Sequence, residues 1–137
     1  MGTVYADLTL KNYNDLVKVE NGLLEKNEAR FINVNAIVDT GAGTLVISEE
    51  QRRELGLEPR KENVVTLANG AKETVIIADP VQICWKNRYS ICFPWVVKRP
   101  HKVLLGAIPL EDMDLIVDPG LQALIGRHGD EVQGYLL

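Results

Sequence analysis

Apolar and polar positions alternate with period two over much of the chain. Val4, Ala6, Leu8 and Leu10 alternate with Tyr5, Asp7 and Thr9, the pattern of a strand with one buried face. Asn12, Asn14 and Asp15 mark a turn after it, and Leu16-Val17-Lys18-Val19 reads as a second strand closed by Asn21-Gly22. Ala29 to Val38 is a third. Val64 to Leu67 and Thr74 to Ala78 flank Asn69-Gly70, which predicts a two-residue hairpin with both turn positions tolerant of positive φ. Val81 to Trp85 and Tyr89 to Val97 predict a later hairpin, in which Pro94 keeps the second strand from a central place. Its turn lies near Lys86-Asn87-Arg88. A two-residue turn at Asn87-Arg88 sets Cys84 opposite Ile91, a three-residue loop at Asn87-Arg88-Tyr89 sets it opposite Cys92, and the pattern does not choose.

Two short helical pieces interrupt the strands. Ser48-Glu49-Glu50-Gln51 is a capping box, and Gly56 is placed to end the helix with Leu57 closing it. Pro109 to Met113 predicts a helical turn with acidic residues at its positive end. The chain therefore reads as all-β, mainly strand with one or two short helices. With 137 residues and no repeat, low-complexity stretch or linker, one domain over 1–137 is expected.

Composition narrows the function classes. A net charge of -4 and a pI near 5.2 argue against nucleic-acid or anionic-membrane partners. No apolar run reaches the roughly 18 residues of a membrane span, and the amino-terminal segment lacks the basic start and apolar stretch of a signal peptide. Ala6 stands where a myristoylation motif wants Ser or Thr. Two cysteines, Cys84 and Cys92, are too few for a disulfide scaffold and are expected as reduced, buried thiols in a cytoplasmic protein.

The chemistry centres on Asp39-Thr40-Gly41-Ala42, between the apolar runs Ile32 to Val38 and Thr44 to Ile47. A carboxylate at a strand end, on a turn made with glycine, can be fixed within a cleft. Peptide hydrolysis without metal or covalent intermediate needs two such carboxylates sharing one proton, one to activate water and one to polarise the carbonyl. The motif occurs once, so the second carboxylate has to come from another copy of the chain. In this reading Asp39 supplies the carboxylate, Thr40 a hydroxyl directed at the partner loop, Gly41 a close N–H, and Ala42 a small side chain beside the cleft. No metal or other cofactor is required.

Three further segments carry a resemblance. Val64 to Val75, with Asn69-Gly70 at its tip, follows the motif as a candidate flap. Val103-Leu104-Leu105-Gly106 is an apolar run ending in glycine, and Gly106 to Pro119 continues from it. With Asp39-Thr40-Gly41-Ala42, these resemble the retropepsin-like aspartic peptidases, particularly their small prokaryotic branch, over roughly residues 1–126. The resemblance implies a closed acid-protease-like barrel of a single lobe that works as a homodimer on a peptide or protein substrate. It implies catalytic roles for Asp39, Thr40 and Gly41, and substrate contacts from Ala42, Gly43, Ala68, Asn69, Gly70, Leu104 and Leu105. It also implies pairing of the terminal Glu131 to Leu137 between subunits. The chain departs from retroviral members where an acidic residue and an arginine usually pair, since Gly43 and Ala107 stand there. That departure keeps open a second reading, a monomeric, weakly active or inactive peptide-binding or adaptor module.

Other motifs read as structure. Asp112-Met113-Asp114 lacks the context of a phosphoryl-transfer loop and reads as a capped, solvated turn. His128-Gly129-Asp130-Glu131 reads as a solvated loop, and Cys84, Cys92 and His101 lack the paired spacing of a zinc site. Arg52-Arg53 and Arg60-Lys61 read as a solvated face balanced by Glu49, Glu50, Glu54 and Glu58. Trp85, Tyr89, Phe93 and Trp95 read as core or sheet-face packing.

Overall fold

The computed structural model describes residues 2–136. Strand β1 (Tyr5–Asn12) pairs antiparallel with β2 (Phe31–Val38), from Tyr5 opposite Ile37 to Lys11 opposite Phe31. Between them the expected strand at Leu16 to Val19 is instead part of helix α1 (Tyr13–Glu20). The turn residues before it explain the difference. The Asn12 side chain caps the helix by accepting the Asp15 N–H at 3.0 Å and donates to the Leu55 carbonyl at 2.8 Å. The Asp15 carboxylate accepts from Arg30 Nε at 2.8 Å, Nη2 at 2.9 Å and the Arg30 main-chain N–H at 3.0 Å. A capped and anchored first turn outweighs the modest strand preference of two valines.

After β2 come β3 (Val46–Ser48), α2 (Glu49–Leu55), β4 (Pro59–Thr66), β5 (Lys72–Ala78), β6 (Val81–Trp85), β7 (Arg88–Cys92), β8 (Trp95–Val97), β9 (Leu104–Leu105), α3 (Ala107–Asp112), β10 (Leu115–Asp118) and β11 (Ala123–Gly126). Nine strands form one sheet in the order β4-β5-β8-β3-β9-β2-β1-β6-β7, curled into a half-barrel, and β10-β11 form a separate hairpin. The mainly β expectation holds. So does the capping box, in which Ser48 and Gln51 bond reciprocally, and Gly56 ends α2 at φ 67°. Arg52 of the expected solvated face is ion-paired with Glu49 and Arg60 with Asp79.

The hairpins differ from expectation in detail. Thr66 pairs with Lys72, Leu67 N–H donates to the Ala71 carbonyl, and Gly70 N–H returns to the Leu67 carbonyl. The loop is thus the three residues Ala68-Asn69-Gly70, with only Gly70 left-handed at φ 84°, a turn followed by a glycine bulge rather than a two-residue turn. The β6-β7 turn is Lys86-Asn87, which sets Cys84 opposite Tyr89 and Cys92 opposite Val81. Neither expected register is adopted. The cysteines are free, and half-buried rather than buried. Helix α3 begins at Ala107, so Glu111 and Asp112 fall in its last turn and not at its positive end.

Two apolar clusters lie on opposite faces of the β5-β8-β3 region. The larger gathers Leu8, Leu10, Leu45, Ile47, Leu55, Ile83, Val96 and Leu105, among others, most with no exposed surface. Each such side chain stabilises the fold by about 1.5–3 kcal/mol relative to exposure. The smaller cluster, Val46, Val75, Ile77 and Val97, faces a cleft. Trp85 is buried and Trp95 partly so, whereas Tyr89 and Phe93 are exposed.

Arg88 is the largest fully buried side chain. Its guanidinium donates to five main-chain carbonyls, those of Met113, Asp114, Gly129, Asp130 and Val132. Its Nε has no partner among the described residues. Thus β7 grips both the end of α3 and the segment after β11. Beside it His128 Nδ1 lies 2.6 Å from Asp114 Oδ2, so the two expected solvated turns are joined by a hydrogen bond. Residues 131–136 form no strand and are exposed; Leu137 of the expected terminal strand lies outside the described residues.

Candidate active site

Asp39 stands at the end of β2, where the chain leaves the sheet, passes over β9 and enters β3. Strand β9 lies between β2 and β3, parallel to the first (Ile37 with Leu104, Val38 with Leu105) and antiparallel to the second. Main-chain bonds hold the loop on both sides. Asp39 N–H donates to the Leu105 carbonyl at 3.0 Å, and Ala42 N–H to the Asp39 carbonyl at 3.1 Å. Ala107 N–H donates to the Ala42 carbonyl at 2.8 Å and Ile108 N–H to the Gly43 carbonyl at 3.1 Å. The first turn of α3 thereby satisfies the loop's carbonyls with N–H groups that have no partner inside the helix. These bonds join the positions of Gly43 and Ala107 through the backbone, with no side-chain ion pair.

Two glycines permit the close approaches. A Cβ on Gly106 would lie 2.3 Å from the Thr44 carbonyl oxygen and 2.6 Å from that of Ala42, which no side chain survives. Gly41 N–H donates to Asp39 Oδ1 at 2.9 Å, and a Cβ there would sit 3.1 Å from the same oxygen. Gly41 has no positive φ, so its small size, not backbone freedom, admits the carboxylate. Behind the loop, burial pushes the Cys92 thiol up to about 11.

A cleft of about 640 Å³ opens beside Asp39. Its floor is Val46, Val75 and Val97 of the smaller apolar cluster, one wall is the β4-β5 flap, and the other is Trp95 to Leu104. Of the expected residues Asp39, Gly41, Ala42, Gly43, Ala68 and Leu104 line it. Leu105 does not, being fully buried behind the loop. Asn69 and Gly70 are exposed at the flap tip away from it, with Asn69 Oδ1 accepting the Ala71 N–H at 2.9 Å. Thr40 is exposed and borders a second cavity of about 440 Å³, which Asp39 also lines, between the amino-terminal residues Gly2 to Val4 and the β10-β11 turn.

Residues not expected from the sequence complete the cleft, chiefly Val46, Val65, Val75, Trp95, Glu73 and Arg99. The period-two pattern of β5 could have placed Glu73 and Val75 on one face. Arg99 carries no local signal, because its place depends on the pairing of β5 with β8. Glu73 is the other carboxylate in the cleft, and it is ion-paired with Arg99. Asp39 is therefore the cleft's one carboxylate without a cationic partner among the described residues. No group of three His, Cys, Asp or Glu side chains that could hold a metal occurs among the described residues.

A model of the aspartyl protease family matches residues 27–107. Among solved structures, the chain is similar to the retroviral protease-like domain of Ddi1 from Leishmania major. The two share 15% identity with a TM-score of 0.57, over 96% of this chain and 91% of that one. That likeness shows a retropepsin-like fold. A retropepsin-like aspartic protease from Rickettsia conorii also aligns, at 19% identity and a TM-score of 0.47 over 85% of each chain. No curated protein matches.

Proposed function

The chain belongs to the aspartyl protease family, and from that premise we propose that it is an aspartic endopeptidase whose active site is completed by a second copy of itself. One observation carries the reading. A carboxylate fixed by the Gly41 N–H stands in a largely apolar cleft under a hairpin, with no cation paired to it among the described residues. Asp39 and exposed Thr40 also border the second cavity, outside the flap's wall, which leaves that side of the loop accessible to a partner protomer. Two Asp39 carboxylates brought together hold one proton between them.

The ionised carboxylate takes a proton from water as the water oxygen bonds to the peptide carbonyl carbon. The protonated carboxyl gives its proton to the carbonyl oxygen, yielding a neutral tetrahedral diol. On collapse the C–N bond breaks, the nitrogen leaves with a proton from one carboxyl, and a diol hydroxyl returns its proton to the other. The pair ends as it began, with one proton. The peptide lies extended under β4-β5 and pairs with exposed strand edges, Ala42 and Gly43 leaving room for its backbone. Asn69 and Gly70 form the flap tip that closes over it.

Replacing Asp39 with Asn removes the base and lowers kcat/KM on an unstructured peptide at mildly acid pH by about a thousandfold or more. Hydrolysis at the wild-type rate would refute the assignment. A second reading rests on Gly43 and Ala107, which lack the acid–arginine pair of retroviral members: a monomer that binds peptide without cutting it. Sedimentation with peptide present separates the two, since the enzyme is a dimer and the binding module is not.

A further inference from the structure

Strands β5 and β8 pair antiparallel with Ile76 opposite Val96 and Ile77 opposite Trp95. Continuing that register outward sets Val75 opposite Val97 and Glu73 opposite Arg99. On the other side of β5, Glu73 faces Val65 of β4. Alternate residues of a strand share a face, so Ile77 with Trp95, Val75 with Val97, and Glu73 with Arg99 are successive rungs of one ladder. All but Ile77 line the cleft. The ladder is apolar at its base and ends in a single ion pair beneath the flap.

The two partners are unequally held. The Glu73 side chain is 19% exposed and sits on β5 opposite Val65 of β4, whereas that of Arg99 is 53% exposed and lies beyond the end of β8, after Lys98. Arg99 can swing into water at little cost, because an exposed guanidinium keeps its hydration. Glu73 has no such freedom, and without a cation it is a poorly hydrated charge against Val65 and Val75. Of the two neighbouring cationic side chains on the loop, Lys98 and Lys102 are exposed, and Lys102 lies over the Tyr5 ring. Neither lines the cleft. His101, which does, donates from Nδ1 to the Lys102 carbonyl.

We propose that Glu73 is a specificity-determining residue that selects peptides bearing a lysine or arginine side chain at the flap-base subsite, with Arg99 as the displaceable occupant in their absence. This rests on the peptide-cleft reading above. An incoming cation replaces Arg99 on Glu73 and leaves no carboxylate unpaired. An incoming acidic side chain meets Glu73 first and has to compete with it for Arg99.

The test is a set of peptides identical but for Lys, Leu or Glu at one position, walked along the sequence. Binding is read by fluorescence anisotropy on the full chain carrying Asp39→Asn, and cleavage is read separately on the wild type. At one position Lys binds more tightly than Leu by about fivefold, and Glu more weakly. Glu73→Gln removes the preference for Lys over Leu. Arg99→Ala strengthens Lys binding, since it removes the competitor. A preference for Glu, or weakened Lys binding in Arg99→Ala, overturns the inference. So does equal binding of all three peptides at every position, while wild-type cleavage of those peptides leaves the enzyme reading intact. Absence of any peptide binding overturns both.

Discussion

Asp15 lies almost wholly inside the protein, and its charge is held by Arg30, just ahead of β2. The Arg30 guanidinium and main-chain N–H hold the carboxyl below the usual carboxylate range, and Arg52 does the same for Glu49. A carboxyl with a depressed folded-state pKa binds fewer protons folded than unfolded as the pH falls. Its stabilisation is complete above the ordinary carboxylate pKa of about 4 and is lost as pH falls through the depressed folded value. Asp15→Asn therefore costs about 2 kcal/mol at neutral pH and flattens the acid limb of the stability curve. Urea unfolding between neutrality and strongly acid pH reads both; an unchanged acid limb would show that Asp15 does not drive acid unfolding. The sequence showed Asn12 and Asp15 only as turn formers. Their cap and anchor roles depend on Leu55 and Arg30, distant partners that no local window contains.

At the scale of elements, the Asp39 loop is secured less by its own residues than by β9 and α3 behind it. Gly106 is the point of closest approach. Gly106→Ala drives a methyl into the Thr44 and Ala42 carbonyls and destabilises the protein by about 3 kcal/mol or more. It also loosens the loop, so kcat falls more than the lost folded fraction accounts for; thermal melts beside kinetics on the folded fraction test this. The resemblance marked Val103-Leu104-Leu105-Gly106 as part of the site, and its glycine is what the close backbone contact requires. The flap was legible in place but not in turn type. Asn69-Gly70 suits two loops, and the pairing of Leu67 with Ala71 decides between them. Helix α1 was misread because its short apolar run satisfies strand and helix equally, and its cap was the deciding term.

For the whole molecule, the proposed reading makes the half-barrel one half of a catalytic pair, so that activity would belong to an assembly. Mixing wild-type chain with an equal amount of Asp39→Asn, with time to exchange, leaves about half the wild type's own activity if active dimers need two intact copies. Undiminished activity at saturating concentration would show that one Asp39 suffices. The motif residues beside the cleft were readable from sequence, being contiguous; the Glu73–Arg99 pair was not, since the two meet only when β5 and β8 pair. The Arg88 cradle has a consequence for how this molecule is made. Its carbonyl partners include residues more than forty positions downstream, so a growing chain cannot bury that arginine until the segment around Gly129 to Val132 has been synthesised. Residues 129–132 close over the arginine that joins β7 to the end of α3, and α3 braces the Asp39 loop. The nascent polypeptide thus carries an unfinished brace behind the Asp39 loop until that segment has been made.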